Sequence, residues 1–259
     1  MSLAAVLIVK NEAAHLRACL ETLRWVDEIV VLDAGSDDAT CAIAREFTDK
    51  VAVNDDWQGF GVQRQRAEAM VESDWILMVD ADERVTPELR RSIQAAVATD
   101  EPAIHTLPRL SWCFGDFIRH SGWYPDRVAR LYPRGKAGYD AALVHEKLHN
   151  PAGLPVKALE GDLLHYTYRD LRHYLEKSAH YAQAWAEQRV ARGKKGSLAA
   201  GLIHGLGCFL RMYLLRAGFL DGRQGLLLAL LSAHSTFAKY ADLWVRTRTS
   251  PPPDETPER

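Results

Sequence analysis

The chain has 259 residues, enough to bury a full core as one large domain or as a domain with an appendage. Its four cysteines (Cys19, Cys41, Cys113 and Cys208) show no C-x-x-C spacing, which argues against a zinc site and a disulfide framework and suits the free thiols of a cytoplasmic protein. The net charge of −2 hides an asymmetry: residues 1–101 carry 10 Lys+Arg against 20 Asp+Glu, and residues 102–259 carry 22 against 14.

Leu3 to Val9 is a continuous apolar run stopped by Lys10-Asn11-Glu12, and it reads as a buried parallel strand. It lacks a preceding basic region and is followed by charge, so it does not read as a signal peptide. Leu16, Cys19, Leu20 and Leu23 then recur at helical spacing, with Asn11 as the expected N-cap. Glu28 to Leu32 is a second strand ending in Asp33-Ala34-Gly35-Ser36-Asp37-Asp38, and a helix capped by Asp37 or Asp38 follows. Lys50 to Val53 reads as a third strand, Gln63 to Val71 as a helix, and Trp75 to Val79 as a fourth strand. Thr86-Pro87-Glu88 opens another helix, with proline at its first position. This alternation predicts an α/β fold with a mostly parallel sheet flanked by helices.

Ligands of such sheets bind outside the carboxyl ends of the strands. Three polar clusters fall there: Lys10-Asn11-Glu12, Asp33 to Asp37, and Asp80-Ala81-Asp82. Two carboxylates at i and i+2 share one side of the pleat. They are hard oxygen ligands of the kind Mg²⁺ or Mn²⁺ prefers, and such an ion keeps positions open for substrate phosphates. A solvated turn is the bland alternative for any one cluster, but three on one edge point to an enzyme that handles a diphosphate.

The run Val-Lys10-Asn11-Glu12, then Val-Leu-Asp33-Ala-Gly35-Ser36-Asp37-Asp-Ala-Thr40, then Val-Asp80-Ala-Asp82-Glu83 resembles glycosyltransferase family 2. Those are inverting enzymes with the nucleotide-sugar-binding GT-A fold. Trp57-Gln-Gly59-Phe60-Gly61-Val-Gln63-Arg64, Gly122 to Arg127, Val144-His145-Glu146 and Gly218 to Gly222 extend the resemblance, over roughly residues 3 to 245, to the lipopolysaccharide inner-core β-1,4-glucosyltransferases. Where those relatives carry Gln-Lys-Asn, this chain has Gln63-Arg64-Gln65.

The resemblance implies roles. Asp33 would bond the uracil or ribose of a UDP-sugar, with Asn11, Glu12, Gly35, Asp37 and Gln63 around the donor. Asp82, with Asp80 nearby, would hold the Mg²⁺ or Mn²⁺ that bridges the phosphates, and His145 could complete the metal shell. Arg64 would add charge near the phosphates, or else be a solvated helix residue. Inverting transfer also needs a general base on the acceptor hydroxyl. Asp126, in the aromatic-rich turn Trp123-Tyr124-Pro125-Asp126, is favoured over Glu146. The acceptor would be a lipid-linked saccharide, such as the heptose of the lipopolysaccharide inner core.

Residues 1–165 are expected to form the catalytic domain, 166–245 a helical region and 246–259 a disordered tail. In the helical region aromatic and basic residues interleave, and the basic knot Arg192-Gly193-Lys194-Lys195 precedes an apolar stretch from Leu198 to Leu215. A charge at Arg211 argues against a transmembrane span. Apolar helix faces flanked by lysine and arginine can instead lie on anionic lipid. The expectation is therefore peripheral attachment to the cytoplasmic face of the inner membrane, the alternative being a buried helical subdomain or a dimer interface. No nucleic-acid motif is evident.

Two rival functions can be set beside this one. A haloacid-dehalogenase-type phosphatase expects Thr or Val where this chain has Arg84, and its Asp-X-Asp strand comes first rather than fourth. A non-catalytic sugar-nucleotide-binding protein on the same fold is the stronger rival, since fold alone does not guarantee activity.

Overall fold

The computed structural model describes residues 1–142, 146–168 and 170–248. They divide into two compact units: Met1–Ser111 with Pro125–Thr167, and Trp112–Tyr124 with the chain from Tyr168 onward.

The first unit is built on strands β1 (Leu3–Val9), β2 (Glu28–Asp33), β3 (Val51–Val53) and β4 (Trp75–Met78). They lie parallel in the order β3-β2-β1-β4, with Val6 opposite both Val30 and Met78. β1, β2 and β4 are rich in buried aliphatic residues, as strands covered on both faces must be, whereas β3 at the sheet edge is only half-buried and ends at the exposed Val53. Alternation divides them between two cores. Ala5, Leu7 and Leu77 pack with Leu16 and Leu20 of helix α1 (Ala13–Glu21) and with Ile93 of α4 (Pro87–Ala98). On the other face, Ala4, Val6 and Met78 pack with Ala67 of α3 (Phe60–Glu68) and with Tyr132. A short helix, α2 (Thr40–Arg45), follows β2. The expected helix at 63–71 therefore begins and ends three residues earlier. Thr86 caps α4 by accepting from the Leu89 amide, with Pro87 at the first helical position as expected.

Beyond β4 the sheet turns antiparallel. It continues through β8 (Asp126–Pro133), β6 (Ile104–Cys113), β12 (Leu163–Tyr168) and β5 (Glu83–Val85), with β11 (Val156–Ala158) alongside β6. Ile76 faces Tyr132 across the β4–β8 pair, and Glu83 faces His165 across β5–β12. A separate two-stranded ribbon joins β9 (Gly138–Tyr139) to β10 (Leu148–His149).

The second unit contains α5 (Leu171–Ala191), α6 (Leu198–Leu210), a π-helical turn at Arg211–Leu215, a 3₁₀ turn at Gly218–Asp221, and α7 (Gly222–Arg248). Strand β7 (Asp116–Phe117) pairs with Trp112 and Cys113 to open a segment that also belongs here. Asp221 anchors that segment, accepting from the Arg119 and His120 amides at 3.1 and 2.9 Å. Ile118 and Cys113 pack with Met212 and Leu228. The first domain is thus not an unbroken 1–165, because these long-range contacts draw Trp112–Tyr124 into the helical unit. Trp123 is likewise packed against the second unit's apolar cluster. Helix α7 also carries through Arg248, three residues past the expected helical limit, and the rest of the tail lies outside the described residues.

Candidate active site

The loops after β1 and β2 are laced to each other. Asn11 sits at φ 56°, in the left-handed region that asparagine tolerates better than most residues. Its amide donates to Ser36 Oγ at 2.8 Å, and its side-chain oxygen accepts from the Asp37 amide at 3.0 Å. The Glu12 amide donates to Thr40 Oγ1, and the Ala13 amide to Asp38. Asn11 is therefore not the cap of α1. Glu12 occupies that position without a side-chain bond, and Asn11 ties one loop to the next instead.

Asp33, fully buried, organises the second loop from within. Its Oδ1 accepts from the Gly35 and Ser36 amides at 2.8 and 2.7 Å, and its Oδ2 from Ser36 Oγ. Gly35 is needed at this turn: its φ is 83°, and an added Cβ would meet Asp55 Cβ at 3.0 Å. Gln63, also fully buried, donates to the Asn54 carbonyl at 3.0 Å and so holds the loop after β3. Gly61, at the start of α3, admits the segment that follows β9. A Cβ there would overlap the Asp140 carbonyl, and the Gly61 amide donates to the Ala142 carbonyl at 3.0 Å.

The carboxylate after β4 is the centre of an alternating chain of charges. Glu146 accepts from Arg64 Nε at 2.9 Å, and Arg64 Nη2 donates to Asp80 Oδ1 at 2.9 Å. Arg130 of β8 donates to Asp80 Oδ2 and lies 3.5 Å from Glu83. Arg109 of β6 comes within 3.6 Å of Glu83 and bonds Asp126 at 2.5 and 2.9 Å. Five side chains, three of them arginines, thus join the two expected bases, Glu146 and Asp126.

Burial opposes the charge on Asp80, but Arg130 and Arg64 overcome it and hold its pKa well below the usual carboxylate range. Glu83 goes the other way: burial, with Asp80 beside it, raises its pKa against the pull of Arg130 and His165. Arg64 is 4% exposed, so it is not a solvated helix residue. It also lies over the Tyr139 ring, 5.0 Å from the centroid. Its Nη1 is buried and has no hydrogen-bond partner among the described residues. A buried guanidinium N–H left unpaired is costly and suits an anionic ligand.

Asp82 lies apart from the arginine chain. Its Oδ2 is 3.3 Å from His165 Nε2, and the two side chains are 30% and 15% exposed. His145, the expected metal ligand, lies outside the described residues. Among the described residues no three His, Cys, Asp or Glu side chains form a metal cluster. The Asp82–His165 pair nonetheless has suitable donors, a hard oxygen and an imidazole nitrogen, whereas both oxygens of Asp80 are taken by arginines.

Sequence reading misses Arg130, Arg109 and His165, and it gives Glu83, quoted within the Asp80 motif, no role of its own. Their one local signal is charge within apolar strands: Arg130 stands next to Leu131 and Tyr132, and it is 6% exposed.

Among relatives, the lipopolysaccharide core biosynthesis glycosyltransferase LpsC of Rhizobium meliloti (strain 1021) is 29% identical, covering 93% of this chain and 94% of its own. An uncharacterized glycosyltransferase of Rickettsia felis is 26% identical over 93% of this chain and 89% of its own. Among solved structures, S. aureus TarS 1–349 aligns with 94% of this chain and 89% of its own, at 12% identity and a TM-score of 0.48. The model of the family described as Glycosyl transferase family 2 matches residues 4–160, more than half of the chain. That span holds the laced strand-end loops, the arginine chain and Asp82, with His165 five residues beyond its end, and the chain belongs to glycosyltransferase family 2.

Proposed function

We propose that the protein is an inverting hexosyltransferase that moves a sugar, glucose in the simplest reading, from a UDP-sugar to a hydroxyl of a lipid-linked saccharide. The observation that carries the diphosphate part is the unpaired buried Nη1 of Arg64 beside Asp80. The kinship with a lipopolysaccharide core glycosyltransferase favours the inner-core heptose as acceptor.

In this reading the loops built by Asn11, Glu12, Gly35, Asp37 and Gln63 bound the nucleoside. Asp33 shapes its own loop, so it presents the loop's backbone to the base rather than reaching out itself. Arg64 and Arg130 offset charge on the diphosphate. Asp82 and His165 would hold a divalent Mg²⁺ or Mn²⁺, which when bound serves as a Lewis acid toward the leaving diphosphate. Asp126 takes the proton from the acceptor hydroxyl while that oxygen bonds to the anomeric carbon and the bond to the diphosphate oxygen breaks. Arg109 orients Asp126 for this step. Glu146 is instead the partner of Arg64 and acts as a positioning residue.

Calorimetric titration with UDP, UDP-glucose, UDP-galactose, UDP-N-acetylglucosamine and a GDP-sugar, each with and without Mn²⁺, tests the reading. Metal-dependent binding of UDP and one UDP-hexose is expected, and Asp82→Ala removes it. Failure to bind any of these nucleotides with metal present would overturn the proposal, whereas binding without measurable hydrolysis or transfer of the sugar would favour the non-catalytic role.

A further inference from the structure

Helix α6 exposes a row of leucines. Leu198, Leu202, Leu206 and Leu210 recur every four residues at 37, 63, 61 and 41% exposure, and Leu214 follows in the π-helical turn at 53%. Ile203 and Leu215 stand beside the row at 70 and 80%. Gly201 and Gly205 of the same helix pack on α7, where added Cβ atoms would meet Tyr240 Cβ at 3.0 Å and the Ala233 carbonyl at 3.1 Å. The segment Leu198–Leu215 is long and apolar enough to cross a membrane, yet only 17% of it is buried, so it is not a core helix. The contact with α7 and the charge of Arg211 favour lying on a bilayer over crossing one.

Beside this row is a cleft of about 490 Å³. Three cations line it, Arg189, Arg211 and Lys239, over an aromatic floor of Trp185 and Tyr240. The Arg189 guanidinium sits 3.8 Å from the Trp185 ring centroid, and His204 stacks on Tyr240 at 4.8 Å. An adjoining cleft of about 270 Å³ shares Arg189 and adds Arg192, Lys194 and Lys195. No carboxylate residue lines either cleft, and none of the six cations is ion-paired among the described residues. Nearby Glu187 and Asp242 both turn to Arg246 instead. Ile203 lines the larger cleft and joins it to the apolar row.

We propose that this cleft takes the phosphate of an anionic membrane lipid while the leucine row enters the acyl region beneath it. The occupant is a bilayer surface bearing phosphate headgroups, which complements both six unpaired cations and an adjacent strip of exposed hydrocarbon. The inference deepens the reading of a lipid-linked acceptor and rests on it only for its purpose. The test contains no nucleotide and no saccharide, so its failure is separable from failure of the donor titration.

Flotation of the full chain with neutral phosphatidylcholine vesicles, and with vesicles containing phosphatidylglycerol, tests the proposal. Wild type is expected to float with the anionic vesicles and much less with the neutral ones. The triple variant R189Q/R211Q/K239Q is expected to lose roughly a hundredfold in partitioning, at about fivefold per cation. The double variant L202Q/L206Q should also lose binding, while both keep the wild-type melting curve because the altered side chains are mostly outside the core. Three results would overturn the proposal: equal flotation with both vesicle types, a triple variant that floats like wild type, or a wild-type chain left in the soluble fraction. A dimer in sedimentation that L202Q/L206Q disperses, without vesicle binding, would assign the face to a second copy of the chain instead.

Discussion

Arg109 grips Asp126 through a single carboxylate oxygen: Nε and Nη2 both donate to Oδ2, at 2.9 and 2.5 Å. The other oxygen, Oδ1, meets no Arg109 N–H, and it is the atom we assign to take the acceptor proton. Asp126→Asn is expected to lower kcat by about 10²- to 10⁴-fold, the usual contribution of a general base. UDP affinity should stay near wild type. Glu146→Gln, by contrast, should weaken donor binding through Arg64 and largely spare turnover at saturation. If Asp126→Asn turns over normally and Glu146→Gln does not, the two roles are reversed.

Removing Arg130 breaks the charge chain at its middle, between Asp80 and Glu83. Asp80 and Glu83 would then face each other with only Arg64 and Arg109 at the ends. Arg130→Met should destabilise the fold by about 3–5 kcal/mol, the usual cost of leaving a buried charge without its partner. Urea unfolding measures this. A loss within the error of the extrapolation would mean that the pair is more solvated than its 8% and 30% side-chain exposures indicate.

His165→Ala should reduce the metal dependence of UDP binding without abolishing metal-free binding. Asp82→Asn should do the same, and the double variant should add little, since both changes remove one site. Titration with and without Mn²⁺ gives the answer, and additive losses would place the two residues at separate sites.

Glu28 gives the first unit an acid-sensitive joint. Its carboxylate accepts from Lys50 Nζ at 2.8 Å, Ser73 Oγ at 2.6 Å and the Ser73 amide at 2.9 Å. Burial opposes the charge, but these bonds hold its pKa at about 2 against an ordinary 4.5. Because the folded value is the lower one, the stabilisation is full above about pH 4.5 and fades as pH falls toward 2. At full strength it is of order 3 kcal/mol. Melting temperatures of wild type and Glu28→Gln should differ most near neutrality and converge in acid, whereas a constant gap would show that the residue acts only through packing.

The strands from Leu3 to Met78 could be read from the sequence because each is a local pattern, apolar residues bounded by polar punctuation. The strand-end clusters followed from the same logic. Arg130, Arg109 and His165 could not be read that way, since they reach Asp80, Glu83 and Asp82 only after β8, β6 and β12 have paired across long stretches of chain. Asn11 shows the same limit on a smaller scale. Its identity suggested a helix cap, but a partner 26 residues away competes for its side chain and wins. Trp112–Tyr124 went to the wrong unit because nothing local announces the grip of Asp221, a hundred or so positions downstream.

The lacing of Asn11 to Ser36 and Asp37 bears on how this scaffold can be altered. Each loop braces the other, so a graft of residues 34–39 from a relative with a different donor would arrive without its matching half. Donor preference on this framework should therefore transplant as a two-piece cassette, residues 10–13 together with 34–40, and resist change by either piece alone.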